Sequence, residues 1–382
     1  MTATDTRQRL LIVSFSPLAM DARVLKQIRH FTGRYHITTC GRGPAPEGSD
    51  QHFEVRHGAV PALADNAMML LHAYRLAYWT TPEVRQAWKA LKGLRFDAIL
   101  ANDAPTLPLA VRLRPTGGIH ADLHEYWPRL RDENANWLRF KGPWYAWQCR
   151  MGLTKALSAS TVSQGLADAY EKQFHVPLDV VTNASPYHDL APTPVHDPIR
   201  VVHQGTSQLN RNLDAMIDGV LATPDMTIDL YLRPNEPAYI ERLRERAATE
   251  PRLTVHDQVP YDQLIDTLND YDLGAFLLEP SNFSYAHALP NKIFDFAQAR
   301  LGAVVSPIPE MAAYVKRFGY GVVTDGFTAA DLTRALEELT PERVSELKAA
   351  AHEHAHELSS ESQVLKWGAA IDAIMERVAD RS

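Results

Sequence analysis

The chain has 382 residues, 45% of them hydrophobic and 22% charged, with a formal net charge of −7 at pH 7. That length suits two domains, and the composition is that of a folded globular protein, which excludes a mainly disordered chain. Two cysteines, Cys40 and Cys149, are too few for a disulfide framework or a CxxC metal site and suit a reducing compartment.

No window approaches the roughly 18 consecutive apolar residues of a membrane span, and no long apolar core follows the amino terminus, so neither a transmembrane helix nor a signal peptide is expected. Charge is distributed unevenly. Residues 1–190 carry 22 Lys and Arg against 17 Asp and Glu, whereas residues 191–382 carry 17 against 29. A basic first half points to an anionic partner, such as a membrane surface or a lipid-phosphate acceptor; the competing reading is chance plus an acidic helical surface.

Residues 10–15 (LLIVSF) read as a buried strand, broken by Ser16-Pro17. Asp21 then stands at an N-cap position, ahead of Val24, Leu25, Ile28 and Phe31 at helical spacing. Residues 35–40 make a second strand. The pattern is α/β, and no GxGxxG follows the first strand. Residues 61–92 carry an apolar stripe with Met68, Leu71, Tyr74 and Trp79, then Arg85, Lys89 and Lys92. Packing on the sheet is the preferred reading over a helix lying on a membrane. Residues 96–103 form a strand ending in Asn102-Asp103, and residues 106–113 a helix. Residues 118–126 form a strand running out into Asp122-Leu123-His124-Glu125. A histidine beside a carboxylate at a strand's carboxyl end can position a substrate hydroxyl, or else satisfy local backbone groups. Residues 126–149 mix Trp127, Trp137, Trp144, Tyr145 and Trp147 with Arg129, Arg131, Arg139 and Lys141. They suit sugar rings or a membrane interface. Nucleic acid is set aside, because no nucleic-acid motif accompanies them and the overall charge is negative. Strands at 158–162 and 178–183 complete this half.

Residues 185–198, with four prolines, read as a linker, and the α/β pattern then restarts. A strand at 199–203 leads into Gly205-Thr206-Ser207-Gln208-Leu209-Asn210-Arg211-Asn212 and a helix from Leu213. Small residues and one cation before a helix N-terminus make a phosphate seat, a pattern many such loops share. Strands follow at 227–232, ahead of Arg233, and at 253–256. An apolar run at 273–278 and a polar loop precede Pro290-Asn291-Lys292, which opens a helix; Gly302 ends it and a strand follows. Ligands gather at the carboxyl ends of parallel strands, so Asn291 to Asp295 fall where a ligand would be held. Beyond Thr328 the chain reads as helical, ending in an amphipathic helix at 367–378.

The ordered series Asp21-Ala22-Arg23-Val24, Asn102-Asp103, Asp122-Leu123-His124-Glu125, Val162-Ser163-Gln164-Gly165, Pro290-Asn291-Lys292-Ile293-Phe294-Asp295 and Pro309-Glu310-Met311 resembles the retaining glycosyltransferases of family 4, which have the GT-B fold. The resemblance implies two Rossmann-like domains facing across a cleft. Residues 1–190 would be the acceptor domain, 191–360 the nucleotide-sugar donor domain, and 361–382 a helix crossing back onto the first. It implies hexosyl transfer with retention from a UDP- or GDP-sugar to a cell-surface polysaccharide or lipid-linked acceptor, with neither metal nor cofactor. With the two cysteines and the basic first half, the expectation is a cytoplasmic enzyme with peripheral contact with an anionic inner membrane face.

By the same resemblance, His124 contacts the donor sugar and Asp295 takes the ribose position. Gly205, Thr206, Arg211, Arg233, His287, Asn291 and Lys292 surround the donor, and Arg23, Asp103 and Glu125 surround the acceptor. Two departures stand out: Thr206 replaces an expected arginine, and His287 replaces the first of two expected glutamates. Lys292 or Arg233 is expected to supply the missing cation. Asp270-Tyr271-Asp272 mimics a metal-binding DxD but reads as structural. Two alternatives remain open, a nucleotide-sugar epimerase of the same fold and a catalytically inactive homologue acting as a binding subunit.

Overall fold

The computed structural model describes residues 6–58 and 62–380, with side chains for all of them except 62–64. Residues 1–5, part of the amino-terminal stretch weighed above, lie outside the described residues. The chain forms two compact units. One comprises Met1–Thr182, Asn282–Ser284 and Gln363–Ser382, the other Asn183–Ser281 and Tyr285–Ser362.

The first unit is built on a parallel sheet of β1 (Arg9–Pro17), β2 (His36–Arg42), β3 (Gln51–Glu54), β4 (Ala98–Asn102), β5 (Gly118–Leu123), β6 (Ser158–Thr161) and β7 (Asp179–Val180). Their spatial order is β3-β2-β1-β4-β5-β6-β7. Leu10, Leu11, Ile12 and Val13 of β1 are all fully buried, as expected of a central strand covered on both faces. Asp21 caps the helix Ala22–Phe31, its carboxylate accepting from the backbone N–H groups of Arg23 and Val24. The terminal helix Ser360–Ala379 contributes Trp367, Ile371, Ile374 and Met375 to the cluster around Leu10, Val24 and Ile28, so the expected return to the first domain is present.

The aromatic and basic stretch, read from the sequence without any secondary structure, is largely helical. Most of residues 126–149 belong to a long helix, Ala135–Leu153, with Pro143 inside it. Proline inside a helix removes one backbone hydrogen bond and crowds the preceding turn, and packing overrides that preference here. A Cβ at Gly142 would lie 2.8 Å from the carbonyl oxygen of Pro128, so glycine allows the close approach of the preceding turn.

The second unit holds β8 (Ile199–Thr206), β9 (Met226–Arg233), β10 (Leu253–Asp257), β11 (Leu273–Phe276), β12 (Gly302–Val305) and β13 (Gly321–Val323), in the order β10-β9-β8-β11-β12-β13 and also all parallel. The polar loop after β11 contains a short helix, Phe283–Ala286, that the sequence did not suggest. A Cβ at Gly274 would lie 2.4 Å from the Phe296 ring, so only glycine lets the helix Asn291–Gln298 lie this close to β11. Asp272 of the DxD look-alike is fully buried. It accepts from Lys348 Nζ at 3.0 Å and from the Arg200 backbone N–H at 2.9 Å, so it ties the sheet together.

In both sheets the strand order reverses beside the first strand, between β1 and β4 and between β8 and β11. Such switch points leave a crevice at the carboxyl ends of the strands, where loops part to opposite faces.

Candidate functional site

At the switch point of the second unit, β8 ends in Gly205-Thr206, and the helix Asn291–Gln298 begins after the loop that follows β11. Pro290 precedes that helix and offers no side-chain cap, so the first-turn N–H groups have no capping side chain. Lys292 folds back over β8: a Cβ on Gly205 would meet its Cε at 3.1 Å and its Nζ at 3.3 Å. The ammonium also lies 5.0 Å from the Phe276 ring centre. Burial lowers the Lys292 pKa to about 8; Asp295 opposes the shift and Arg211 adds to it. His203, beneath them, is held neutral by burial and by Lys292, its pKa pushed down to about 3. Arg211 stacks at 5.1 Å over the Tyr285 ring. The Lys292 ammonium thus lies beside the Gly205 turn at the end of β8, and Arg211 is near enough to act on it electrostatically.

The other residues expected around the donor lie at the ends of β8 and β9, in the loop after β11 and in the first turn of the helix. Thr206 pairs in register with Arg233, which is exposed at the end of β9, and Asn291 is exposed in the first helical turn. His287 is half-buried in the preceding loop. Asp295 is placed differently from a ribose ligand. It is only 2% exposed, and its carboxylate accepts from Ser185 Oγ and, at 2.9 Å, from Gln204 Nε2. It holds β8 and the start of the second unit against the helix.

At the switch point of the first unit lies a chamber of about 580 Å³. Ser14 and Ser16 at the end of β1, Arg42 at the end of β2, and Asn102 and Asp103 at the end of β4 form one side. Trp127, Lys141, Trp144, Tyr145 and Gln148, from the long helix and the turn before it, form another. Asp103 has φ 66° and ψ 157°, a region nearly restricted to glycine, which costs about 1–3 kcal/mol and persists only where neighbours enforce it. Here they do. The Asp103 N–H donates to Asp122 O at 2.8 Å, and its carboxylate accepts from the His124 N–H and Trp127 Nε1, each at 2.9 Å.

His124 lies between two carboxylates, its Nδ1 3.4 Å from Asp103 and its Nε2 3.4 Å from Asp122. The second is an ion-pair separation without hydrogen-bond geometry. Burial favours the neutral ring, but Asp103 and Asp122 outweigh it and raise the His124 pKa. Burial also raises the Glu125 pKa, and its carboxylate accepts from Ser284 Oγ at 3.1 Å. Arg23 does not line the chamber. It is 5% exposed and donates to both oxygens of Asp122 at 2.7 Å and to Val181 O at 2.8 Å. Sequence reasoning missed Arg42 and Gln148, which ordinary spacing rules do not single out.

Neither a protein-family model nor a curated relative matches the chain. Solved structures do. HepE of Anabaena, in complex with UDP, is similar at a TM-score of 0.70 and 12% identity, covering 96% of this chain and 100% of that one. Sucrose-phosphate synthase from Thermosynechococcus elongatus is similar at 0.67 and 13%, covering 97% and 100%. WaaG, a glycosyltransferase involved in lipopolysaccharide biosynthesis, is similar at 0.57 and 11%, covering 91% and 95%. These are GT-B proteins, and two parallel-sheet α/β domains with a helix returning to the first define the same class here. The chain has the GT-B fold.

Proposed function

We propose that the protein is a retaining glycosyltransferase that moves a hexosyl group from a UDP- or GDP-sugar to a hydroxyl of a cell-surface polysaccharide or lipid-linked glycan. The observation that carries this reading is the Lys292 ammonium lying against the Gly205 turn of β8, with Arg211 near enough to lower its pKa and with the helix Asn291–Gln298 uncapped by any side chain, in a chain with the GT-B fold. The complex of HepE with UDP supports a nucleotide sugar as the donor.

The leaving diphosphate gains negative charge as the glycosidic bond breaks. Lys292, Arg211 and the helix N–H groups are aimed at that charge. The acceptor oxygen bonds to the anomeric carbon on the face the diphosphate leaves, and the departing phosphate oxygen takes the acceptor proton. No enzyme nucleophile and no metal enters this scheme. His124 is assigned to a hydroxyl of the donor sugar by the resemblance, and that contact requires its ring to turn from Asp103 or Asp122, which its two nitrogens face. Asp103 accepts from an acceptor hydroxyl, and Glu125 lies nearby. Asp295 acts mainly by positioning, since contact with the ribose requires it to release Ser185 or Gln204.

Incubation with UDP-glucose, UDP-galactose and GDP-mannose separates the readings. We expect release of nucleoside diphosphate with slow hydrolysis. Interconversion of sugars would instead identify an epimerase, and binding without turnover an inactive homologue. Product NMR decides retention: an anomeric centre inverted relative to the donor overturns the scheme.

Peripheral membrane contact belongs to the same proposal. Leu70, Leu71 and Leu76 are 64%, 76% and 59% exposed beside Arg75, an apolar and basic corner. Among the described residues no helix is long and apolar enough to cross a membrane. We expect co-sedimentation with vesicles containing phosphatidylglycerol, reduced several-fold by Leu71→Glu. Equal sedimentation of the two proteins would remove this corner from the proposal.

A further inference from the structure

Gln148 is 1% exposed, and neither its Nε2 nor its Oε1 has a hydrogen-bond partner in the protein. A buried amide left unsatisfied costs about 1–3 kcal/mol per group, so such a side chain calls for a physical reason. Leucine would fill the same volume without that cost. Gln148 stands in the wall of the chamber at the first switch point.

The other walls define what could satisfy it. Trp127 and Tyr145 have ring centres 4.8 Å apart, and Tyr145 and Trp144 5.1 Å apart, tilted by 46° and 45°, so one wall is lined by three contiguous aromatic rings. Two of the lining carboxylates already have partners, Asp65 in Lys141 and Glu83 in His57 Nδ1. Arg42 contributes a second buried donor, Nε, without a partner. The chamber volume lies within the range that holds one or two small rings.

We propose that Gln148 is a specificity-determining residue for the acceptor. It accepts from one ring hydroxyl and donates to its neighbour, while the apolar face of that ring lies on the Trp127–Tyr145–Trp144 surface. The group that enters is a polyhydroxylated ring, and the chain or lipid attached to it stays outside. This rests on the transferase reading and adds to it the residue that selects the acceptor's ring. An amide carries one donor edge and one acceptor edge, which matches a vicinal diol, and the C–H face of a pyranose matches an aromatic surface.

The test uses the full-length protein, with methyl α-D-glucopyranoside, methyl α-D-mannopyranoside and methyl β-D-galactopyranoside as probes. Tryptophan fluorescence is titrated with each probe, and UDP binding is measured separately by calorimetry. We expect at least one glycoside to bind, Gln148→Leu to weaken it at least tenfold, and UDP affinity to stay unchanged. The thermal midpoint of Gln148→Leu should equal or exceed that of the wild type, because an unsatisfied amide is removed. Gln148→Glu, which keeps an acceptor but loses the donor edge, should retain part of the affinity. The proposal is overturned if no glycoside binds the wild type, or if Gln148→Leu binds as well as wild type. A wild type that binds glycosides but not UDP would instead overturn the transferase reading and leave the chamber's ligand class standing.

Discussion

Replacing Lys292 by methionine is expected to weaken UDP binding about 10- to 100-fold without lowering the thermal midpoint, since a charge-assisted hydrogen bond is worth roughly 1.5–3 kcal/mol. The expectation follows from where the ammonium lies. Burial brings its pKa down to about 8, so the free protein bears the cost of holding this charge near Gly205 and His203. A diphosphate brought against it relieves that cost, and methionine keeps the length of the stem while removing the charge. The sign of the pH effect is fixed by the same shift. Below about pH 8 Lys292 is charged and UDP binds fully; as pH rises through that value the charge is lost and affinity falls. Calorimetric titrations at pH 6.5, 8 and 9.5 should show a larger fall between pH 8 and 9.5 in the wild type than in Lys292→Met, where only the ionisation of the ligand itself remains. Gly205→Val reaches the same group by geometry, because the added carbons would occupy the space of Lys292 Cε and Nζ. It should lower UDP affinity with the lysine still present. Unchanged affinity in Lys292→Met would remove the lysine from the donor site.

The location of this site was legible because several local signals agree. The apolar run at 273–278 is short enough for a buried strand, and Pro290 ahead of Asn291 marks a helix start. Alternation of such strands with helices leads to parallel sheets, and a second strand series after the proline-rich 185–198 leads to two domains. What the sequence hid depends on contacts. The helix Ala135–Leu153 carries a proline that local rules read as a break. Asp103 shows no sign in the sequence of its glycine-like backbone, which is imposed by Asp122, His124 and Trp127 from the next strand and loop. Gln148 is distinguished by partners it lacks, a property that no spacing rule encodes. Arg23 shows the converse. Its motif suggests an acceptor ligand, but a guanidinium that close to a buried carboxylate is consumed by it.

Removal of that guanidinium should therefore act on stability and not on acceptor kinetics. Arg23→Ala is expected to cost about 3–5 kcal/mol in chemical denaturation, the range for breaking one side of a buried ion pair. Three observations set the expectation at that level. Both partners are buried, at 5% and 0% side-chain exposure, and the pairing is bidentate. Arg23 also lies 4.5 Å over the Trp367 ring, so it fastens the terminal helix to the first unit. Asp122 in turn accepts from Gln27 Nε2 and Ser160 Oγ, and all of these contacts are lost or strained together. Burial works to raise the Asp122 pKa, but Arg23 and His124 hold it well below the usual carboxylate range. This stabilisation is present above the unfolded carboxylate pKa and is lost as pH falls through the lower folded value. Without Arg23 the folded value rises, so the acid limb of the stability curve should move to higher pH. Arg23→Lys should recover only part of the loss, because an ammonium cannot reproduce the fork. Arg23→Met combined with Asp122→Leu should recover much of it, since neither charge is then buried alone. A variant at Arg23 that keeps its denaturation midpoint but raises the acceptor KM would reverse the assignment and return this arginine to the binding site.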